Sequence, residues 1–402
     1  MKIFLVILCI IAILIFLLYM DYQLGKRAQQ KRIDRKNHPF RYTDFHIYSD
    51  GTELFPALFQ AVKEAKSHVH ILFYTIKTDS ISNEFLHLLK TKAHEGVEVR
   101  LILDWLGSIN IRKRKRIRRK LKQAGVQFAF CQLPTFPFLF YSLQVRNHRK
   151  IAIIDGKIGF MGGFNIGKDY IHENFKLSPW RDYHLQLIGE GVDDLQREFL
   201  IDWLKASKIN LLQNQVYFPA QTKGETRHQI IPTQGVYLEE LLCNLIKNSK
   251  RSLLIATPYF IPSKRVTEEL LRALHRNVSL TILIPNKADH MLVKEAAFPY
   301  LRKLLKDGAS VYQYMNGFFH GKLINADDEI MIVGSSNFDR RSIFLNHELN
   351  CYIYDPVFIA KMNKITTMDL EQAKELSLED LKRIHLWSMV KEWLARLFAP
   401  FL

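Results

Sequence analysis

The hydrophobic pattern divides the chain into one long apolar run followed by many short ones. Residues 3–20 are continuously apolar, and as an α-helix they would span about 27 Å, close to the hydrocarbon thickness of a bilayer. Only Lys2 precedes the run, whereas six basic residues follow it by residue 36, which favours an uncleaved anchor over a cleaved signal peptide. We therefore predict a transmembrane anchor at 1–20 and a basic linker at 21–40, with the rest of the chain in the cytoplasm.

Beyond residue 40, helices alternate with short apolar runs, which is the pattern of an α/β fold. The first series has predicted strands at 69–76, 97–103 and 126–131 and helices at 52–66 and 82–95. The same order returns with strands at 252–257, 280–284 and 311–314 and helices at 236–247, 266–274 and 290–305. An internal duplication explains this repetition and predicts two halves, 41–220 and 228–402.

Two apolar segments remain open to more than one interpretation. Residues 134–141 read Pro-Thr-Phe-Pro-Phe-Leu-Phe-Tyr and have no counterpart in the second half. This segment is either a loop packed on the core or a lid or membrane-dipping loop beside a site. Residues 386–398 carry apolar side chains at helical spacing and two tryptophans. They would suit either a membrane interface or packing against the body.

The charge of the chain predicts an anionic partner. The formal net charge is +17, which favours nucleic acid or an anionic membrane surface. Nine of the eleven residues 112–122 are basic, and this predicted helix would be a solvated face, a patch for lipid headgroups or a contact for nucleic acid. The four cysteines are scattered without a CxxC pair, so the sequence predicts neither a disulfide framework nor a zinc site.

Candidate chemistry lies in a motif that occurs once in each half. A histidine is followed by lysine two residues later, aspartate seven later and asparagine 17 later. The copies are His148, Lys150, Asp155 and Asn165, and His320, Lys322, Asp327 and Asn337. Residues i and i+2 of a strand point to the same face, so each histidine projects with its lysine. If the halves pack around a pseudo-two-fold axis, these side chains converge on one cationic pocket suited to a phosphodiester.

The residue types in this pocket favour phosphoryl transfer through histidine. Neutral imidazole can attack phosphorus, and a second, protonated imidazole can act as the general acid. The two lysines would supply the positive charge that magnesium supplies in other phosphoryl-transfer enzymes. We therefore expect neither a metal nor any other cofactor.

The motif resembles that of the phospholipase D superfamily, because both halves match its HxKx4Dx6G-[GS]-x-N signature without a gap. The chain is most similar to the bacterial cardiolipin synthases. Further similar stretches are 104–105, 180–184, 257–262, 334–342, 346–350 and 395–402. The resemblance, over nearly all of 41–402, implies a duplicated α-β-α sandwich with pseudo-two-fold symmetry. Such enzymes typically carry two N-terminal membrane segments, whereas this chain shows one, and the minor or accessory type is our expectation.

The resemblance also implies a reaction and a role for each residue of the motif. Two phosphatidylglycerol molecules would give cardiolipin and glycerol through a phosphohistidine. The implied roles are nucleophile for His148, acid and base for His320, phosphate binding for Lys150, Lys322, Asn165 and Asn337, and orientation of the histidines for Asp182 and Glu348. Asp155 and Asp327 belong to the catalytic motif, but we expect them to buttress it rather than to contact substrate.

Other functions of this superfamily provide the alternatives. A phospholipase D would pass the phosphatidyl group to water, and a nuclease would cut a nucleic-acid backbone. A catalytically dead membrane scaffold is the third alternative, which the two complete motifs disfavour. The expected partners are phosphatidylglycerol, anionic lipids and the membrane, with no nucleic acid.

Overall fold

The computed structural model describes residues 2–33, 37–290, 292–382 and 391–393, beginning with one long helix. This helix, α1 (Lys2–Arg32), is exposed from residue 2 to residue 19. Among the described residues it is the one helix long and apolar enough to cross a membrane. The predicted linker at 21–40 therefore starts as helix, and residue 20 is not a break. The helix continues because Tyr22 and Gly25 pack on the ring of Tyr141, which stabilises the turns beyond the apolar run.

The first half of the chain alternates strands and helices as predicted. Its described strands are β1 (Arg41–Tyr48), β2 (His68–Phe73), β3 (Glu98–Asp104), β4 (Gln127–Cys131), β5 (Ile151–Ile154), β6 (Ile158–Gly162), β7 (Trp180–Arg181) and β8 (His184–Gly189). Its described helices are α2 (Gly51–Glu64), α3 (Ser80–His94), α4 (Ile109–Lys113), α5 (Lys115–Gln123), α6 (Leu139–Gln144) and α7 (Gly191–Ser207). The start of α2 follows from sequence, because the Asp50 carboxylate accepts from the Thr52 amide as an N-cap.

The second half repeats this order. Its described strands are β9 (Thr226–Gln234), β10 (Ser252–Ala256), β11 (Phe260–Ile261), β12 (Ser279–Pro285), β13 (Ser310–Tyr314), β14 (Phe318–Phe319), β15 (Leu323–Ala326), β16 (Ile330–Gly334), β17 (Phe338–Asp339), β18 (His347–Ile353) and β19 (Ala373–Glu375). Its described helices are α8 (Leu238–Asn248), α9 (Lys264–His275), α10 (Val293–Lys306), α11 (Arg340–Phe344), α12 (Pro356–Glu371) and α13 (Leu378–Lys382).

One mixed sheet runs through both halves. Its order over the described residues is β19-β13-β12-β10-β15-β16-β18-β9-β1-β8-β6-β5-β2-β3-β4. The central antiparallel pair is β9 and β1. Counted outward from this pair, the seven strands from β1 to β4 correspond in order to the seven strands from β9 to β13. The predicted duplication is therefore confirmed, and the pseudo-two-fold axis passes between β1 and β9.

Helices cover both faces of this sheet. On one face, apolar side chains of α2, α3 and α5 pack over the first half, and those of α8, α9 and α10 pack over the second. On the other face, α7 and α12 pack over the central strands, with Phe199 and Met362 in one shared core. The two repeats thus share a core as well as a sheet, which gives the predicted α-β-α sandwich.

Two predicted segments differ from their expected form, and a third lies mostly outside the described residues. The basic helix predicted at 112–122 is two helices, α4 and α5, separated at Arg114. The aromatic stretch 134–141 is part loop and part helix α6, and it contacts α1 instead of lying wholly on the core. Most of the amphipathic segment at 386–398 lies outside the described residues. Within it, the ammonium of Lys391 lies 3.7 Å from Glu295 of α10.

Candidate active site

A strand contact between the halves fixes the first motif histidine. Asn147 forms a parallel bridge with His347, and the amide of His148 donates to the His347 carbonyl at 2.9 Å. The next residue along β18 is Glu348, which this register places opposite the imidazole. Nδ1 of His148 lies 3.1 Å from each carboxylate oxygen of Glu348. An acid from the second half therefore orients the histidine of the first half.

The second histidine is held in the same way with the halves exchanged. Strand β14 pairs in parallel with β7, and the amide of His320 donates to the carbonyl of Arg181 at 2.6 Å. The residue after Arg181 is Asp182, and its carboxylate lies 2.5 Å from Nδ1 of His320. The carboxylate–histidine pairs are thus crossed between the halves, because each histidine enters beside the strand that carries the other repeat's acid.

Additional donors hold the buried Glu348 carboxylate in place. It accepts from the hydroxyls of Ser335 (2.5 Å) and Ser342 (2.9 Å) and from the amide of Asn346 (3.2 Å). Burial acts to raise the pKa of Glu348, but His148, Lys150 and Ser335 together outweigh it, and the pKa lies below its ordinary value. Glu348 is therefore an anion that stabilises the Nδ1–H tautomer of the facing histidine.

The G-[GS] pair of the motif fits this arrangement differently in the two halves. Gly163 packs so closely on Asp182 that a Cβ atom there would lie 2.0 Å from the carboxylate oxygen. The equivalent residue, Ser335, donates its hydroxyl to Glu348 at 2.5 Å. The two carboxylates therefore receive different neighbours from the same motif position.

Both motif histidines line one cavity of about 820 Å³. Asn165 and Asn337 line it too, so each half contributes a histidine and an asparagine. Oδ1 of the Asn165 side chain accepts from the backbone amide of Thr75 at 3.3 Å. The convergence expected from the pseudo-two-fold axis is thus present for four of the eight motif residues.

The motif lysines are buried behind the histidines and are not among the side chains that line this cavity. The ammonium of Lys150 donates to the carbonyl of His148 at 2.6 Å, and that of Lys322 donates to the carbonyl of His320. Lys322 Nζ also lies 3.8 Å from Asp182. Each lysine therefore places positive charge directly beneath the imidazole of its own motif.

Burial shapes the protonation states of these groups. It lowers the pKa of His148 despite the opposing effect of Glu348. Burial and the neighbouring Lys322 lower the pKa of His320 to about 4. Burial lowers the pKa of Lys150 to about 7, and that of Lys322 to about 8 despite the attraction of Asp182. Both imidazoles are therefore neutral at neutral pH before an anion enters the cavity.

The motif aspartates lie away from the cavity and hold backbone instead. The carboxylate of Asp155 accepts from the amides of residues 66–68 at 2.7–2.9 Å. Asp327 accepts from those of residues 250–252 at 2.7–2.8 Å. Each aspartate therefore ties the turn after β5 or β15 to the start of the neighbouring strand, β2 or β10, which agrees with a buttressing role.

Sequence reasoning missed a buried arginine beneath the first motif. Arg149 donates to the carbonyl of Glu348 (3.1 Å), the carboxylate of Asp202 (3.0 Å) and the carbonyl of Thr233 (3.3 Å). It joins α7, β9 and β18 at the boundary of the halves. The signal in the sequence was a charged residue between the motif histidine and lysine, and the second motif has Gly321 at this position.

Two cavity tyrosines were also missed. The ring of Tyr74 lies 5.3 Å from that of His148, and the ring of Tyr259 lies 6.3 Å from that of His320. They lie in the loops after the equivalent strands β2 and β10, but one residue apart in the repeat, because Tyr259 corresponds to Thr75. Comparison of the repeats therefore points to these loops and not to a shared tyrosine position. The hydroxyl of Tyr259 donates to Asp289 at 2.5 Å, which places an acid on the second-half wall of the cavity.

The described residues contain no group of three or more His, Cys, Asp or Glu side chains placed to hold a metal ion. The acids nearest the motif histidines, Asp182 and Glu348, are already engaged by the imidazoles. The site's own chemistry is therefore that of imidazole, carboxylate and ammonium groups.

Comparison with known proteins decides the family. Residues 58–184 and 242–370 each match the family model described as cardiolipin synthase, PLD-like domain. The chain belongs to this family. The two matched ranges contain every motif residue together with Asp182 and Glu348, so the family assignment and the cavity geometry concern the same residues.

Relatives within the family cover the chain from end to end. The minor cardiolipin synthase ClsB of Bacillus subtilis (strain 168) is 39% identical over 402 residues, which is the whole of both chains. The major cardiolipin synthase ClsA of the same organism is 37% identical over 365 residues, covering 89% of this chain and 75% of that protein. The resemblance predicted from the motifs is thereby confirmed.

A solved structure supports the fold independently. Phosphatidylserine synthase from Haemophilus influenzae Rd KW20 matches with a TM-score of 0.71 over 93% of this chain and 97% of that chain. Sequence identity is 15%. At that identity the likeness concerns the fold alone, and it supports the duplicated sandwich.

Proposed function

We propose that this protein is a cardiolipin synthase that transfers a phosphatidyl group from one phosphatidylglycerol to another and releases glycerol. One observation carries the proposal: two imidazoles from opposite halves line a single cavity, each with a carboxylate of the other half at its outer nitrogen. Membership of the cardiolipin synthase family supports the choice of lipid substrate.

In the first step, His148 is the nucleophile. Its Nδ1–H donates to Glu348, which leaves a lone pair on Nε2 for attack on phosphorus. A phosphorus–nitrogen bond forms as the bond from phosphorus to the glycerol oxygen breaks. His320 gives its proton to that oxygen, and the phosphodiester anion in the cavity raises the pKa of this imidazole enough for it to carry the proton.

In the second step the roles reverse. His320 accepts the proton of a hydroxyl on the glycerol headgroup of a second phosphatidylglycerol, and the resulting oxygen nucleophile attacks phosphorus. The phosphorus–nitrogen bond breaks, cardiolipin forms and His148 returns to its neutral state. Asn165 and Asn337 are placed to donate to the non-bridging oxygens, while Lys150 and Lys322 stabilise the developing negative charge from behind the imidazoles.

The proposal includes the membrane arrangement. α1 crosses the bilayer once, and the catalytic region lies in the cytoplasm, because the basic residues at 26, 27, 31 and 32 lie on the C-terminal side of the apolar run. Phosphatidylglycerol and other anionic lipids are then available in the leaflet next to the cavity. The net charge of +17 favours their accumulation near the protein.

Incubation of the purified protein with phosphatidylglycerol vesicles tests the function. We expect cardiolipin and glycerol in equal amounts, measured by lipid mass spectrometry and a glycerol assay. The same products are expected in excess chelator, because imidazole and ammonium groups carry the proposed chemistry. Loss of turnover that added metal restores would contradict the proposed mechanism.

Other products would assign one of the alternative functions. Phosphatidic acid without cardiolipin would identify a hydrolase that uses water as acceptor. Cleavage of DNA or RNA without any lipid product would identify a nuclease. A matched reaction with His148→Ala protein controls for contaminating lipases, since any product that it forms does not come from this cavity.

The lysine protonation states predict how substrate affinity depends on pH. A lysine is charged below its pKa, and Lys150 and Lys322 have values of about 7 and about 8. Positive charge beneath the cavity is therefore lost as the pH rises from 7 to 9, and KM for phosphatidylglycerol is expected to rise several-fold over this range. Steady-state kinetics between pH 6 and pH 10 provides the measurement. A constant KM up to pH 10 would show that these lysines do not contribute to substrate binding.

A further inference from the structure

Two phenylalanines project into solvent from loops of the first half. Phe136 is 85% exposed and Phe175 is 96% exposed. Beyond α1, they are the most exposed phenylalanines of the described residues. Exposing a ring of this size in water is unfavourable, so the pair indicates a surface that is covered in use.

Both loops belong to the rim of the catalytic cavity. Phe175 lies between Asn174 and Leu177, which line the cavity. The loop of Phe136 runs between β4 and α6, and its flanking carbonyls at residues 132 and 142 accept from Arg146 at 3.0 and 2.9 Å. Arg146 also lines the cavity. The loops that carry the two exposed rings therefore adjoin residues that line the cavity.

The anchor helix fixes the position of the Phe136 loop relative to the bilayer. The carboxylate of Asp21 accepts from the amide of Tyr141 at 2.7 Å, and the rings of Tyr22 and Tyr141 are 5.9 Å apart. Asp21 directly follows the apolar run that ends at residue 20. The amide of Thr135 donates to the hydroxyl of Ser142 at 2.9 Å, which holds the Phe136 loop against the helix of Tyr141. Phe136 therefore lies close to the level at which α1 leaves the hydrocarbon region.

Positive charge lies at the same edge of the sheet. Strand β3 ends at Asp104, and Gly107 and Asn110 of the following turn and helix line the cavity. The basic residues 113–116 come directly afterwards and are all exposed. Basic side chains beside exposed apolar rings are the combination that binds an anionic lipid surface.

We propose that Phe136, Phe175 and residues 113–116 form a docking surface for the anionic leaflet. The rings enter the interfacial region, the basic residues contact the headgroups, and the mouth of the cavity faces the bilayer. A phospholipid then enters headgroup first while its acyl chains remain among the lipids. The partner is the anionic bilayer itself, and the part of the inference that concerns substrate entry rests on the proposed function.

Site-specific labels on the full-length protein test the docking surface. In a Cys9→Ser background, the other three cysteines are buried, so Phe136→Cys and Phe175→Cys can each carry one environment-sensitive fluorophore. In phosphatidylglycerol vesicles we expect blue-shifted emission and quenching by lipids that carry nitroxides on their acyl chains. Quenching is expected to be weaker in phosphatidylcholine vesicles, since these lack the anionic headgroups that the basic residues contact. Equal quenching in both kinds of vesicle would show that residues 113–116 are not part of the docking surface.

Two exposed valines at the opposite edge of the sheet serve as matched controls. Val216 is 63% exposed beside Tyr217, which donates to Glu98 at the start of β3, and Val357 is 79% exposed after the end of β18. Labels at Val216→Cys and Val357→Cys are expected to report water. If the labels at the two phenylalanine positions report the same water exposure as these controls, the proposed docking surface is wrong. This conclusion holds whether or not the protein is active.

A kinetic comparison tests the route of the substrate. The double variant Phe136→Ser/Phe175→Ser is expected to turn over vesicle phosphatidylglycerol at least several-fold more slowly than the unaltered protein. It is expected to turn over a water-soluble, short-chain phosphatidylglycerol at the unaltered rate. Unchanged turnover of vesicles, or equal loss on both substrates, would overturn the proposed entry route. Label quenching needs no turnover, so it distinguishes failure of this proposal from failure of the proposed enzymatic function.

Discussion

Replacement of His148 or His320 by alanine is expected to lower kcat for cardiolipin formation by at least about 10⁴-fold, because each variant lacks a group that forms or breaks a bond. Neither change should unfold the protein, since the backbone contacts that hold both segments remain. Cardiolipin formation and the melting temperature in detergent, measured on the same preparations, check both statements. Activity within tenfold of the unaltered protein in either variant would contradict the two-histidine mechanism.

The two alanine variants also separate the roles of the histidines. His320→Ala retains the nucleophile, so with a substrate whose leaving group needs no protonation it is expected to accumulate an acid-labile phosphoenzyme. His148→Ala is expected to form none. The reverse pattern would exchange the roles of the two residues. His94→Ala, an exposed substitution at the end of α3, controls for nonspecific effects of losing an imidazole.

Substitution of Glu348 by glutamine is expected to lower kcat by about 10²- to 10⁴-fold, because an amide cannot stabilise the imidazolium as the carboxylate does. Asp182→Asn should have a comparable effect on His320, to which the carboxylate lies at 2.5 Å. Steady-state kinetics on both variants provides the measurement. Glu64→Gln, on the exposed end of α2, is the matched control. A decrease in kcat of less than tenfold in Glu348→Gln would show that Glu348 contributes packing rather than stabilisation of the imidazolium.

A double variant tests whether Glu348 acts through His148. If it acts through the imidazole alone, His148→Ala/Glu348→Gln should be no slower than His148→Ala. Further loss in the double variant would show that Glu348 also contributes independently of the imidazole. The comparison needs residual rates, so a substrate with a good leaving group is the appropriate probe.

Much of the fold and part of the site could be predicted from local patterns. Alternating helices and strands identified the repeat, because their periodicities survive in the amino-acid sequence of each copy. The i, i+2 spacing predicted that Lys150 projects with His148 from a strand, yet both residues precede β5, and the lysine lies behind the imidazole rather than in the cavity wall. That arrangement depends on how deeply the segments before β5 and β15 are buried, which neighbouring elements decide.

Contacts across the repeat boundary were beyond local reasoning. The pairing of His148 with Glu348 spans 200 residues and arises from the register between Asn147 and His347. Arg149 likewise joins elements that are distant in the chain. The extension of α1 past residue 20 has the same cause, because contact with Tyr141 stabilises turns whose sequence alone predicted a linker.

The crossed pairing has a consequence for how the two repeats can change over time. A duplicated gene usually leaves one copy free to vary while the other preserves the activity. Here damage to either copy removes a proton partner from the other, so neither repeat is a spare. Selection must therefore act on both as one inherited unit, and a divergent residue in one repeat survives only if the opposite repeat tolerates it.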